Sequence, residues 1–207
     1  AEFLSATAGE LPPDRLRAYL ADLATAAERM RILADDLVAM GDGSTALRIA
    51  ETALDDILSE ALTLTRPLAA RERVTLEPPA PTGLIVLIDR HALGRAVTNL
   101  LDNAIRHGGG TVRLHLADDG REAGATITVA DTGPGLSEAA LQTALQPYDR
   151  AETARDTARA GGLGLPIVRD IIEAHGGRLT VETAPGAGFT ARLHLPAGRV
   201  FRLKAKR

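Results

Sequence analysis

Four short blocks, in a fixed order between His91 and Gly188, constrain this chain more than any other feature. They are Asn99-Leu-Leu-Asp-Asn103-Ala-Ile-Arg-His107, Asp131-Thr-Gly133-Pro-Gly135, Gly161-Gly162-Leu163-Gly164-Leu165 and Gly186-Ala-Gly188-Phe-Thr190. A glycine pair alone marks only a turn, and turns occur in every class of protein. Here each block has its own setting. The first lies in a helical run behind Asp89, an N-cap residue. The second ends a strand-like run. The third opens an apolar helical run, and the fourth separates two further strand-like runs.

The rest of the pattern predicts the elements around the blocks. Asp14 reads as an N-cap. From Arg15 to Met40, Leu16, Leu23, Met30 and Leu37 form one row at a spacing of seven, and Tyr19, Ala26, Leu33 and Met40 form a second. Two such rows make a seam for packing against other helices. Gly9, Pro12 and Pro13 before this helix read as an end or hairpin, and Gly41-Asp-Gly-Ser44 stops it. The expected division is a helical region over 1–43, a domain over 44–198 and a basic tail over 199–207 that reads as a solvated terminus.

Within the domain the expected order starts with a short strand over 46–50, a helix Ala53–Ala70, strands Val74–Leu76 and Leu84–Ile88, and a helix capped by Asp89. Strands Thr111–Leu116 and Ala125–Ala130 follow around an Asp118-Asp-Gly120 turn. A short helix over 137–145, a polar mobile loop over 146–160, a helix Leu165–His175 and strands Arg178–Thr183 and Thr190–Leu195 complete the set. Helices and strands do not alternate strictly, and the late strands pair as hairpins. That argues an α+β fold, a mixed sheet with helices on one face.

Composition narrows the function classes. With 45% apolar but only 2% aromatic residues, the core must be aliphatic. A net charge of −3 supplies no general field for nucleic acid or a membrane surface. Cysteine is absent, which excludes disulfides, thiolate metal sites and a Cys nucleophile. No apolar run approaches bilayer length and no signal peptide is visible. The expected location of this portion is cytoplasmic, with any membrane anchor belonging to other segments of a longer parent chain.

Asn99 and Asn103 are four apart on one helix and share a face. An amide oxygen is a hard, neutral ligand, and Mg2+ takes few protein oxygens beside waters and phosphates. Asp131 ends a strand, and a buried carboxylate at such a place can accept from an exocyclic amine such as adenine's and would repel a carbonyl such as guanine's. Gly133 and Gly135 allow close backbone approach to a ring. Gly161, Gly162 and Gly164 precede a helix whose free N–H groups suit phosphates. Blander readings stay open: two Asn on a helix can be a solvated face, Asp131 can form an Asx-turn, and Gly186 and Gly188 can serve a tight turn.

Together the blocks resemble the N box and the three glycine boxes of the ATP-binding catalytic domain of sensor histidine kinases. That domain belongs to a superfamily shared with Hsp90-type chaperones, DNA gyrase and mismatch-repair ATPases. The resemblance covers roughly residues 47–196, and more loosely the preceding helix. There Arg29-Met30 and Asp36-Leu37 are similar to the second helix of the kinase dimerisation domain. It implies a two-layer α/β sandwich preceded by a long heptad-patterned helix, with ATP and Mg2+ as cofactors. It implies Asn103 as Mg2+ ligand, Arg106 and His107 toward phosphate and adenine, Asp131 as the adenine reader, and Tyr148 as the aromatic before a lid over 146–160. Asn99, Gly133, Gly135, Gly162, Leu163, Gly164, Leu165 and Thr190 would complete the nucleotide site. Asn99 stands where the hydrolase branch carries a water-activating Glu. An amide cannot be that base, which favours phosphoryl transfer over hydrolysis.

The implied partners are ATP/ADP, a cognate response regulator and a second copy joined through the N-terminal helix, with no nucleic acid. His91, His107, His115, His175 and His194 all lie in the ATP-binding region, and none matches the phosphoacceptor pattern. Residues 3–11 echo that pattern with Gly9 in the His place. The expected function is the catalytic core of a sensor histidine kinase that passes the γ-phosphate to a His outside this chain, for relay to a response regulator Asp. The chain alone is expected not to phosphorylate itself. The alternative is a nucleotide-binding regulatory module, a pseudokinase.

Overall fold

The computed structural model describes residues 47–146 and 164–202. The heptad helix over 14–40, Tyr148 and most of the 146–160 loop, Gly161, Gly162, Leu163 and the tail from 203 therefore lie outside the described residues. The first elements are β1 (Ala50–Ala53), α1 (Leu54–Glu72), β2 (Thr75–Glu77) and β3 (Leu84–Ile88). Then come α2 (Arg90–Asn103), a π-helical turn (Ala104–Gly108), β4 (Thr111–Gly120) and β5 (Gly124–Asp131). α3 (Glu138–Leu145), α4 (Gly164–Ala174), β6 (Arg178–Thr183), β7 (Phe189–Leu195), a short 3-10 turn and β8 (Val200–Arg202) follow.

Five strands form the main sheet in the order β2-β4-β5-β7-β6, mixed because β2 and β4 are parallel while the other pairs are antiparallel. Alternation along the strands makes its two faces unlike. Val112, Leu114 and Leu116 of β4, Ile127 and Val129 of β5, and Ala191, Leu193 and Leu195 of β7 are buried in one aliphatic core. Leu54, Ile57, Leu58 and Ala61 of α1, Leu93, Ala96, Val97 and Leu100 of α2, and Val168 and Ile172 of α4 join the same core. The opposite face carries Arg113, His115, Thr126, Thr128, Arg192 and His194. This is the expected mixed sheet covered by helices, and among the described residues no Phe, Tyr or Trp is fully buried.

Three details differ from the sequence reading. The first strand is at Ala50–Ala53, because it pairs with β3 in a second, three-stranded sheet, β1-β3-β8. The Asp118-Asp-Gly120 segment stays within β4. The reversal falls at residues 121–123, between Gly120 (φ 94°) and Gly124 (φ 92°). The start of the basic tail is a strand, not solvated chain. Val200 is buried, β8 pairs with β3, and Arg202 forms an ion pair with Asp118. The first and third are long-range pairings that local propensity does not carry; the second moves a local hairpin turn to the segment between two positive-φ glycines. No helix among the described residues is long and apolar enough to cross a membrane.

Candidate nucleotide-binding site

Asp89 caps α2 as the sequence predicts, with its Oδ1 accepting from the Ala92 N–H at 3.0 Å. The helix carries Asn99 and Asn103 half-buried on one face. It then widens into the π-helical turn that holds Arg106 and His107, both exposed. Such turns rotate the side chains that follow them and recur at functional sites. The Arg106 Nε donates to Asp102 at 2.7 Å, which orients the guanidinium from one turn back.

The turn ends at Gly108, which is buried against β5. A Cβ there would overlap the Asp131 carboxyl group, and a Cβ on Gly133 would overlap the Gly108 backbone. Asp131 is thus flanked by bare backbone on two sides. Its Oδ1 accepts from the Gly133 N–H at 2.8 Å, the Asx-turn contact that the sequence left open. Burial pushes the Asp131 carboxyl above the usual carboxylate range. The N–H groups of Gly133 and Phe189 and the nearby His107 ring oppose that shift without cancelling it.

The third block meets the first. Gly164 opens α4, and a Cβ on it would stand 2.6 Å from Asn103 Nδ2. The fourth block supports the second. Gly135 (φ 65°) lies against the Ala184 carbonyl, and a Cβ on Gly188 would strike the Asp131 carbonyl. The Thr183 hydroxyl donates to Gly188 O at 2.8 Å and accepts from Leu136 N–H at 2.9 Å. Gly186 and Gly188 therefore serve the tight turn that props the Asp131 loop.

All four blocks converge, but two expected contacts do not. Leu165 is buried in the core, where it seats α4. Thr190 pairs with Ala130 while Phe189 pairs with Asp131, so strand alternation puts Thr190 on the far face of the sheet from the carboxylate. Tyr148, Gly162 and Leu163 lie outside the described residues. Gly108 was missed by the sequence reading, which ended the first block at His107. A separate cleft of about 490 Å3, lined by Asp119, Thr126, Arg178 and His194 among others, lies at the opposite end of β5 from Asp131.

A two-layer sandwich whose glycine turns gather an Asp at a strand end and an Asn on a helix defines an ATPase-type fold. Residues 88–199, more than half of the chain, match the family described as histidine kinase-, DNA gyrase B-, and HSP90-like ATPase. The chain belongs to that family. The cell-division control histidine kinases PdhS of Brucella anthropi and Brucella suis are each 29% identical to it, over 93% of this chain and 20% of theirs. The chain thus spans about a fifth of the length of these curated relatives. Among solved structures, the mycobacterial sensor histidine kinase MprB is 27% identical with a TM-score of 0.58, over 72% of this chain and 97% of that one. The Acinetobacter baumannii histidine kinase AdeS shares the fold, with a TM-score of 0.68 at 18% identity over 95% of this chain and 92% of that one. So does full-length ShkA in complex with AMPPNP, with a TM-score of 0.66 at 22% identity over 90% of this chain and 40% of that one.

Proposed function

We propose that the chain is the ATP-binding catalytic portion of a sensor histidine kinase. It binds Mg-ATP and positions the γ-phosphate for transfer to a histidine outside this chain, from which a response regulator Asp receives it. The observation that carries this reading is the set of close contacts that tie the described parts of the blocks together, with Gly108 and Gly188 against Asp131 and Gly164 against Asn103. The missing Cβ atoms of Gly108, Gly133 and Gly164 are what let these segments approach so closely. Family membership and the AMPPNP bound to the ShkA neighbour support the nucleotide.

Asp131 accepts from the adenine amine, and its partial burial makes that hydrogen bond selective. The π-helical turn presents Arg106 and His107 toward the nucleotide, and the Gly164 end of α4, with Gly162 and Leu163 before it, faces the phosphates. Tyr148 keeps the role the family resemblance implies, the aromatic before the lid, while Leu165 acts from the core. Among the described residues no group of three or more His, Cys, Asp or Glu is arranged to hold a metal ion. The Asn103 amide and the substrate's own phosphates fit the sparse protein ligation that Mg2+ favours. A bound Mg2+ supplies charge neutralisation on the phosphates. Asn99 cannot activate water as a base, so transfer rather than hydrolysis is the outcome. Residues 1–43, mainly through a helix over 14–40, serve as part of the dimerisation region that pairs two copies, and residues 44–198, together with β8, as the catalytic domain.

Calorimetry with Mg-ATP, with GTP and with Asp131→Asn tests the reading. ATP binds, GTP does not, and the variant loses roughly 1.5–3 kcal/mol, the scale of a hydrogen bond to a charged group. Equal affinity for GTP would remove Asp131 from its role. Steady ATP hydrolysis, without phosphorylation of a His-bearing helical domain added in trans, would overturn the transfer step.

A further inference from the structure

His175 is fully buried at the end of α4 and lies outside every block. Both ring nitrogens are committed. Nδ1 donates to the Ile171 carbonyl of its own helix at 2.7 Å, and Nε2 accepts from the Asp89 backbone N–H at 3.1 Å. A carbonyl can only accept and an N–H can only donate, so these partners fix the neutral Nδ1–H tautomer. Asp89 is the N-cap of α2, and its other carboxylate oxygen accepts from the Arg48 N–H at 2.9 Å. One imidazole therefore bolts the start of α2 to the end of α4.

The opposite ends of these helices meet at the nucleotide site, where Gly164 opens α4 beside Asn103 at the end of α2. The two helices run antiparallel, and the His175 contact lies about 20 Å from Asn103 along α2, at 1.5 Å per residue. Between the two ends they share the aliphatic core. Apolar contact is non-directional and does not by itself fix how far one helix has slid along the other. The hydrogen bond at His175 is directional and does.

We infer that His175 is a positioning residue for nucleotide binding: through the Asp89 N–H it sets the register of α2 on α4, and so the place of Asn103 relative to Gly164. This rests on the nucleotide reading above. Protonation of Nε2 would put two donors face to face and release the bolt. Burial, aided by the Arg199 cation, holds His175 below the usual histidine range, and only the Ile171 carbonyl and the Asp89 carboxylate act the other way. The bolt is therefore closed at neutral pH.

Two substitutions separate the two ring contacts. In His175→Gln the amide oxygen sits near the Nε2 position and still accepts from Asp89. In His175→Asn the amide nitrogen replaces Nδ1 and keeps only the bond within α4. Calorimetry with Mg-ATP on the 207-residue chain, together with thermal melts, reads the result. We expect His175→Gln to stay within about twofold of the unaltered chain. We expect His175→Asn to bind about tenfold more weakly, as when only about a tenth of the molecules hold the competent register. Equal affinity in both variants, with lowered melting temperatures alone, would reduce His175 to a structural role and overturn the inference. Failure of the unaltered chain to bind Mg-ATP would instead overturn the nucleotide reading and this inference together. Should His175→Asn not fold, the pH profile of His175→Gln decides. The unaltered chain must lose affinity more steeply below about pH 6.5 than the Gln variant, since every other group of the chain and of ATP is common to both. Superimposable profiles would overturn the inference.

Discussion

Replacing Gly164 by Ala probes the site with a single methyl group. The new Cβ would stand 2.6 Å from Asn103 Nδ2, against an ordinary separation of about 3.5 Å. The amide must therefore give way by roughly 0.9 Å. It is the free end of a side chain, and an off-rotamer swing costs about 0.5–1.5 kcal/mol. Loss of glycine freedom in the unfolded chain offsets about 0.4–1 kcal/mol of that. Stability should thus change by no more than about 1 kcal/mol, or about 4 °C in melting temperature for a domain of this size.

Affinity should respond far more strongly. The displaced amide is the proposed Mg2+ ligand, and losing such a contact to a charged group costs roughly 1.5–3 kcal/mol. That corresponds to a drop of at least about tenfold in Mg-ATP affinity. Melts paired with calorimetry, with and without Mg2+, separate the two effects. Asn103→Ala and the double variant complete a cycle. With Asn103 already truncated the methyl has nothing to displace, so the double variant should bind like Asn103→Ala. Additive losses would mean that the methyl strikes the phosphates directly. Unchanged affinity in Gly164→Ala would refute the role given to Asn103.

Three further outcomes are expected. Because the folded-state pKa of Asp131 is raised from 3.8, its ionised form weakens the fold; stability is complete below the unfolded value and is lost as pH rises through the folded one. Asp131→Asn should therefore denature at higher urea concentration than the unaltered chain at pH 7, by a margin that narrows toward pH 4; no difference at pH 7 would refute the burial argument. Gly124→Ala places a Cβ onto the Leu195 carbonyl at φ 92°, a backbone clash that no side-chain rotation relieves. It should cost more than about 3 kcal/mol in a denaturant titration, and a near-normal midpoint would contradict the hairpin geometry. Arg202→Ala removes the ion pair with Asp118 and should speed amide exchange over Val200–Arg202 without altering Mg-ATP affinity; unchanged exchange would mean that strand pairing alone holds β8.

The elements with strong local signals were legible before the fold was known. Leu84–Ile88, Arg178–Thr183 and the Asp89 cap stand where a short apolar β-branched run, alternation and capping chemistry respectively put them. The site was legible as four blocks; Gly164 does stand against Asn103, while Asp131 sits against Gly108 at the end of the π-helical turn. What stayed hidden depends on pairing at a distance. Thr190 belongs to the block pattern, yet its register with Ala130 turns it to the far face. Gly108 matters only because β5 passes against it, and nothing within the first block announces that neighbour. β8 is three residues in a basic tail whose strand character comes from β3. His175 reads locally as the last helical residue before Gly176, and its bond to Asp89 spans 86 positions of sequence.

The small sheet has a mechanical consequence. β1 and β8 flank β3 on either side, so both ends of this unit hang on one five-residue strand. Tension entering at Arg48 or leaving at Arg202 is borne by hydrogen bonds to β3. From Ile88 it passes to Asp89, where α2 begins. β3 thus ties the strands at both ends of the described domain to the first turn of the helix that carries Asn103, beside the direct Arg48–Asp89 bond and the packing of α1 and α4 on that helix.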